Sequence, residues 1–456
     1  MERYEKTESF FYCPFFVICS WNVFAAYSQY GVPDSSEIRK NLIETWFEAP
    51  LSEVRMNRPE IRTNGAGQKF QIRHEETNDI FAIIVAPLRK MTIDVISDKG
   101  KSTIVQDAYP ADAPGGWVLT KDKKTGKALQ VRYYFAADSE VFVQLIPDGK
   151  AAYADFLIYN CYVSKGSPTG IKFEYFYTAS FDSLVEVTKE TLPWKYMKIY
   201  PSDYSYSKQM IGVIRSKLPD FLYTDDVMYD EKGTCVYIST GKPFKIPEED
   251  RDKTLVSGLG FLKWIGDGIV EPLTGGRLKR EPLIESTIKY KDIGFQGILS
   301  ESYAISLSCD WIRNLASALV SVRNNRSYMY DESGADVTRE PFSAERTEKG
   351  LIDANNFIKN TGYSVKVLKS LLYVLASEEP DSFYFGAVRQ IDRKVPEVKV
   401  FNESAVFFPY FDEDRHFKCV AFKDGKEILF EDFYNLYSDD YIFLTRAKCT
   451  DNFFPQ

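Results

Sequence analysis

LVSGLGFLKWIGDGI, residues 255–269, decides how the chain is read. Ser257, Gly258 and Gly260 are followed by Phe261, Leu262, Trp264, Ile265 and Ile269 at helical spacing. The pattern predicts a tight turn feeding a buried helix. A cysteine at such a junction is held as a thiolate by the free amides of the helix N-terminus. The stretch contains no cysteine. What the turn and helix do without one is the functional question the sequence poses.

The chain around it has 456 residues, a length for two or three domains. It is 44% hydrophobic and 27% charged, enough apolar content for a sizeable core. Aromatics reach 15%, with 30 Tyr and 33 Phe, which favours sheet structure. The net charge is −8, and the Lys and Arg residues are scattered, which argues against nucleic acid as the main partner. His74 and His416 are the only histidines, so histidine-based catalysis has to use one of them. No Cys-x-x-Cys or His-Glu-x-x-His pattern occurs, so no metal and no cofactor is expected.

Residues 1–26 read as a signal peptide around the apolar run FFYCPFFVICSWNVFAA (10–26). Val23 and Ala25 suit cleavage after Ala25, and cleavage after Ser28 is the second choice. An uncleaved anchor, or a lipid on Cys19 in a poor lipobox, are the alternatives. The expected location is therefore periplasmic or extracellular. Cys161, Cys235, Cys309, Cys419 and Cys449 remain at wide, irregular spacings, which is not a disulfide scaffold. No later segment is long and apolar enough to span a membrane.

Residues 27–195 read as one domain, within which the pattern from about 66 to 190 has period two. FQIRH (70–74), IFAIIVA (80–86), MTIDVIS (91–97), GWVLT (116–120), ALQVRYYF (128–135), EVFVQLI (140–146), ADFLIYN (154–160) and IKFEYFY (171–177) read as strands separated by turn signals. The expectation is an antiparallel β-sandwich that binds or positions. TLPWKYMKIYPSDYSYSK (191–208) reads as a connector packing on both sides. Residues 205–456 mix helices at 209–218, 309–321 and 363–377 with strands at 235–240, 383–388, 404–411, 416–422, 426–430 and 441–447. The polar stretch 322–349 reads as a flap or as disorder. The fold class is α+β.

Helix first and strands after resembles the papain-like peptidases of the NlpC/P60 type. That family opens its first core helix with Asp/Asn-Cys-Ser-Gly-Phe. Ser257-Gly258-Leu259-Gly260-Phe261, with Trp264, Asp267-Gly268-Ile269 and Pro272 behind, is similar to a degraded copy. Aligned back from Phe261, Gly258 takes the place of the cysteine; aligned on Ser257-Gly258, Val256 does. Asp310-Trp311-Ile312-Arg313-Asn314-Leu315-Ala316, Leu368-Lys369-Ser370-Leu371-Leu372-Tyr373, Phe408-Pro409-Tyr410-Phe411-Asp412 and Leu444-Thr445-Arg446 resemble a branch of secreted spirochaetal proteins. Where that branch carries its histidine, this chain has Asn402 and Glu403.

The resemblance implies a papain-like α+β domain over 205–456 whose cleft would comprise Ser257, Gly258, Gly260, Trp264, Asp310, Trp311, Asn402 and Glu403. It implies an inert relative of these peptidases that binds cell-wall peptide or an envelope protein. Two other readings stand beside it. One is a cysteine or serine hydrolase with a displaced nucleophile, for which Cys309 at the head of its helix, His416 and Ser257 are the fallback residues. The other is a structural envelope protein without a ligand cleft.

Overall fold

The computed structural model describes residues 28–97, 100–288, 303–347, 350–353, 356–392 and 398–456. The expected signal peptide at 1–26, with Cys13 and Cys19, lies outside them.

The period-two half forms strands β1 (Glu60–Thr63), β2 (Lys69–Glu76), β3 (Ile80–Pro87), β4 (Arg89–Ser97), β5 (Gly100–Ala108), β6 (Trp117–Asp122), β7 (Ala128–Tyr134), β8 (Val141–Asp148), β9 (Ala151–Ile158) and β10 (Cys161–Pro168). All but β4 and β5 join one antiparallel meander; among the described residues, β4 and β5 pair with each other alone. Alternate residues Phe70, Ile72, Phe81, Ile83, Val131, Val143 and Phe156 line its buried face. The expected second sheet is replaced by helices. α1 (Ser36–Lys40), α2 (Leu51–Val54), α3 (Tyr175–Thr178) and α4 (Phe181–Thr188) lie in this half, and Leu42, Trp46, Phe47, Phe176 and Leu184 share its core. The β-sandwich expectation is thereby corrected to a single sheet packed on short helices. The predicted strand 171–177 is instead a turn and α3, because Phe173 and Phe176 reach the core with helical rather than alternating spacing.

Arg39 fastens α1 to the chain around α3. Its buried guanidinium donates to the carbonyls of Tyr177 (2.8 Å) and Ala179 (2.7 Å) and lies 5.1 Å from the Trp117 ring centre.

The second half begins with α5 (Ser205–Lys217). β11 (Phe221–Tyr223) runs parallel to β14 (Thr254–Val256), and β12 (Val227–Tyr229) forms a hairpin with β13 (Cys235–Tyr237). α6 (Gly258–Thr274), α7 (Arg280–Leu283) and α8 (Tyr303–Asn324) follow. β15 (Ala344–Thr347) and β16 (Gly350–Asp353) then extend the first sheet, β15 pairing with β10. A second antiparallel sheet is built from β17 (Tyr363–Ser364), β18 (Ser382–Ile391), β19 (Lys399–Phe411), β20 (Phe417–Lys423), β21 (Lys426–Ile428) and β22 (Tyr441–Lys448), in the order β17-β22-β18-β19-β20-β21. α6 and α8 pack on one face of it; α9 (Leu368–Glu378) and α10 (Phe430–Leu436) pack on the other.

The boundary expected at 195–205 therefore does not separate two cores. Phe156, Tyr196 and Phe176 belong to one apolar cluster with Leu371, Tyr384, Phe407 and Phe433. The connector supports this, since Trp194 packs on Phe156 and the Tyr204 hydroxyl donates to the Ala376 carbonyl at 2.9 Å. The stretch expected as a flap or disorder at 322–349 is pinned where it is described: Ala335, Val337 and Phe342 are buried, and Asp336 bridges to Thr445.

Replacing Arg39 by Met strands the Tyr177 carbonyl and leaves Ala179 with only the Tyr133 hydroxyl as donor. Denaturant unfolding should show a loss of roughly 2–4 kcal/mol; an unchanged midpoint would contradict the role given to this side chain.

Candidate functional site

The stretch that opens the reading is α6 and the residues before it. Ser257 caps the helix: its Oγ accepts from the Gly260 N–H (3.1 Å) and donates to the Val227 carbonyl (2.8 Å). Both uses of the hydroxyl are structural, and Ser257 is buried. Gly260 lets β12 approach, because a Cβ there would lie 2.3 Å from the Val227 oxygen. Trp264 stacks beside Phe261 and meets Phe221 edge-on at 4.8 Å. The glycines and the tryptophan thus have packing roles.

Gly258 is the first residue of α6 and points at the second sheet. A Cβ built on it would lie 3.0 Å from Ser404 Oγ on β19 and 2.8 Å from Asp424 Oδ1. The strand residue facing this slot is Ser404, not Asn402 or Glu403. The cause is a bulge: Val388 pairs with Glu403 but Arg389 pairs with Phe401, leaving Asn402 unpaired and exposed. One extra residue shifts every later side chain relative to a simple strand count.

Asp424 and Gly425 form the turn between β20 and β21, with φ of 54° and 71°, the two positive values of a type I′ hairpin. This turn sits on the head of α6. A Cβ at Gly425 would come within 2.9 Å of Val256 Cγ2, so only glycine fits. Lys423 bonds the Asp424 carboxylate and pairs with Glu403 at 2.8 Å. Burial pulls the Lys423 pKa down, but its hydrogen bonds to Asp424 and Glu403 outweigh that and hold it above the usual lysine value. Tyr437 is pushed up to about 12 by burial and the nearby Glu403 charge. The place at the helix head is filled by a closed charge network, with a carboxylate next to the positive end of the helix.

The fallback residues are not assembled. Cys309 lies well inside α8, not at its start, because the apolar spacing runs back through Ile305. It is fully buried, and burial pushes its thiol pKa far up. His416 sits in the turn after β19, half-exposed, with Nδ1 3.5 Å from Asp138 Oδ1. Cys309 belongs to the core cluster between α8 and the sheet, while His416 lies in the turn after Phe411. No hydrogen bond joins them: His416 faces Asp138, and Cys309 is sealed in the core. Asp310, implied as part of the cleft, is mid-helix and buried; it accepts from the Thr287 N–H (2.7 Å), the Thr287 hydroxyl and the Ser306 hydroxyl. Arg313 beside it pairs with Asp336 at 3.1 Å. Trp311 is fully buried in the core between α8 and the sheet. Among the described residues, neither histidine is hydrogen-bonded to a cysteine or serine, and no group of His, Cys, Asp and Glu is arranged to hold a metal ion.

A family model described as "Domain of unknown function (DUF8515)" matches residues 28–196, which comprise the meander as far as β10 and the short helices packed on it. Comparisons with curated proteins and with solved structures return no match. Among the described residues, no helix is long and apolar enough to cross a membrane.

Burial raises the Cys235 pKa to about 11 and those of Cys161 and Cys449 to about 12. At a pKa of about 12, only about one thiol in 10⁵ is ionised at pH 7. Iodoacetamide at pH 7 followed by peptide mass spectrometry should leave Cys161, Cys235, Cys309, Cys419 and Cys449 unlabelled until the chain is unfolded. Selective native labelling of Cys309 would contradict this assignment.

Proposed function

We propose that this chain is a secreted, non-catalytic relative of the NlpC/P60-type peptidases, with a papain-like second half, that binds cell-wall peptide or an envelope protein. The observation carrying the reading is the occupied slot at the head of α6. In the resembled family the first core helix presents its nucleophile there. Here the first helical residue is Gly258, which matches the cysteine in one alignment of the motif. The strand residue opposite is Ser404, and the Asp424 carboxylate occupies the space a nucleophile would need. Cysteine peptidase chemistry pairs a thiolate with an imidazole within hydrogen-bond reach, and the slot holds neither a thiol nor an imidazole.

Binding needs a surface elsewhere. A groove of about 1020 Å³ runs along the ends of α6, α8 and β22, with Ile269, Leu273 and Leu319 in its wall and Arg323, Arg326 and Arg446 at its rim. Apolar walls with a cationic rim suit a peptide carrying carboxylates.

The test is co-sedimentation of the chain with purified peptidoglycan, scored for retained protein and for soluble stem-peptide fragments. Retention without fragments is expected, and a variant carrying Arg323→Glu and Arg326→Glu should be retained roughly fivefold less. Release of fragments by the wild-type chain would overturn the non-catalytic reading. Absence of retention by peptidoglycan and by envelope-protein extracts alike would overturn the binding reading.

A further inference from the structure

β4 and β5 form an arm inserted between β3 and β6, which pair with each other. Its root is fixed to the meander. The Leu88 N–H donates to the Lys69 carbonyl at 2.8 Å, and Arg89 Nη2 to the Pro114 carbonyl at 2.8 Å. Arg73 Nη1 donates to the Tyr109 carbonyl at 2.9 Å. Beyond the root, Met91 lies opposite Gln106, Thr92 opposite Val105 and Ile93 opposite Ile104. This register puts Met91, Ile93 and Ile104 on one face of the ribbon. Met91 is 44% exposed and Ile104 46%, and Val105 on the other face is 64% exposed.

A two-stranded ribbon is marginal in water; three or more strands sharing an apolar face are needed for a stable sheet. Among the described residues, no third strand adjoins β4 or β5. Every second residue of β5 turns its backbone N–H and C=O to the outer edge, which is a template for another strand.

The sequence of β5, GKSTIVQDA, is complementary to itself. Two copies laid antiparallel and centred on Ile104 set Ile104 against Ile104 and Thr103 against Val105. The same register sets Lys101 against Asp107, twice by symmetry. A shift of one residue either way separates the isoleucines and the opposite charges together. Lys90, opposite Asp107 within the hairpin, brings a second cation to each Asp107. The other edge offers no such match: β4 centred on Ile93 sets Lys90 against Ile96 and Thr92 against Asp94, with no ion pair.

We propose that a second copy of this chain pairs its β5 antiparallel with β5 of the first, centred on Ile104. The two hairpins become one four-stranded sheet about a two-fold axis, and Ile93 and Ile104 of each copy form one row across it. The inference rests on the arm alone and stands whether or not cell-wall peptide is the partner.

The test follows the mass of the chain by sedimentation velocity over a concentration series at low ionic strength. The mass should rise from one chain toward two. Asp107→Lys sets like charges opposite each other and should weaken the dimer at least about tenfold. Adding Lys101→Asp to that variant restores opposite charges and should recover the wild-type constant to within about threefold. Lys90 faces position 107 in both variants, so it cannot account for the recovery. The register is read by mild oxidation. Residues directly opposite in such a pair have Cα atoms about 4.5–5.5 Å apart, within disulfide reach. Ile104→Cys should therefore cross-link to itself, whereas Met91→Cys, similarly exposed but one strand further from the axis, should not. The proposal is overturned by a chain that stays monomeric, whether or not its arm is captured by lipid vesicles or another protein. It is equally overturned by a dimer indifferent to Asp107→Lys, by a double variant no tighter than the single one, or by equal cross-linking at positions 91 and 104.

Discussion

The head of α6 is closed by the tip of a β-hairpin, and the second half of the molecule is arranged around that contact. Asp424 and Gly425 can form so tight a turn because both adopt positive φ. The turn then brings a carboxylate against Gly258, the first residue of the helix, which has no side chain to obstruct it. Lys423 keeps the carboxylate in place and ties it to Glu403 on the neighbouring strand. Behind the contact, Ser257 and Gly260 hold α6 against β12, and Phe261 and Trp264 seal it against Phe221.

Much of this architecture is legible in the sequence where one periodicity dominates. Phe81, Ile83 and Val85 alternate cleanly, and β3 falls where the pattern puts it. Phe261, Trp264 and Ile265 recur at helical spacing, and α6 follows. Legibility fails where a local irregularity interrupts the count. β10 contains two register shifts and the run Lys165-Gly166-Ser167-Pro168, so it reads as loop although it pairs along its length with β9. The resemblance puts Asn402 and Glu403 opposite the head of α6, but the bulge in β19 leaves Asn402 unpaired and exposed and turns Ser404 toward Gly258.

The candidate site is less legible than the fold for a further reason. Its parts come from β14, β19 and the β20–β21 turn, far apart in sequence. Asp424-Gly425 is a strong local turn signal, but nothing local states that the turn lands on the head of α6. Cys309 shows the converse error. Its neighbour Asp310 has the look of a cap, but only the continuation of the apolar stripe through Ile305 shows that the helix starts earlier and that both are interior. The isolated apolar residues Ala335, Val337 and Phe342 are likewise invisible as core among polar neighbours until their partners are in place.

The central claim is that the Asp424 carboxylate closes the helix head. It is tested most directly by placing a thiol there with Gly258→Cys and measuring its alkylation rate at pH 7, above the wild-type background, with and without Asp424→Gly. Glycine keeps the positive φ of the turn and removes the carboxylate. The account predicts slow alkylation in the single variant. It predicts a rate at least about tenfold higher in the double variant, where helix amides lower the thiol pKa without an opposing charge. Equal, rapid alkylation in both would contradict it.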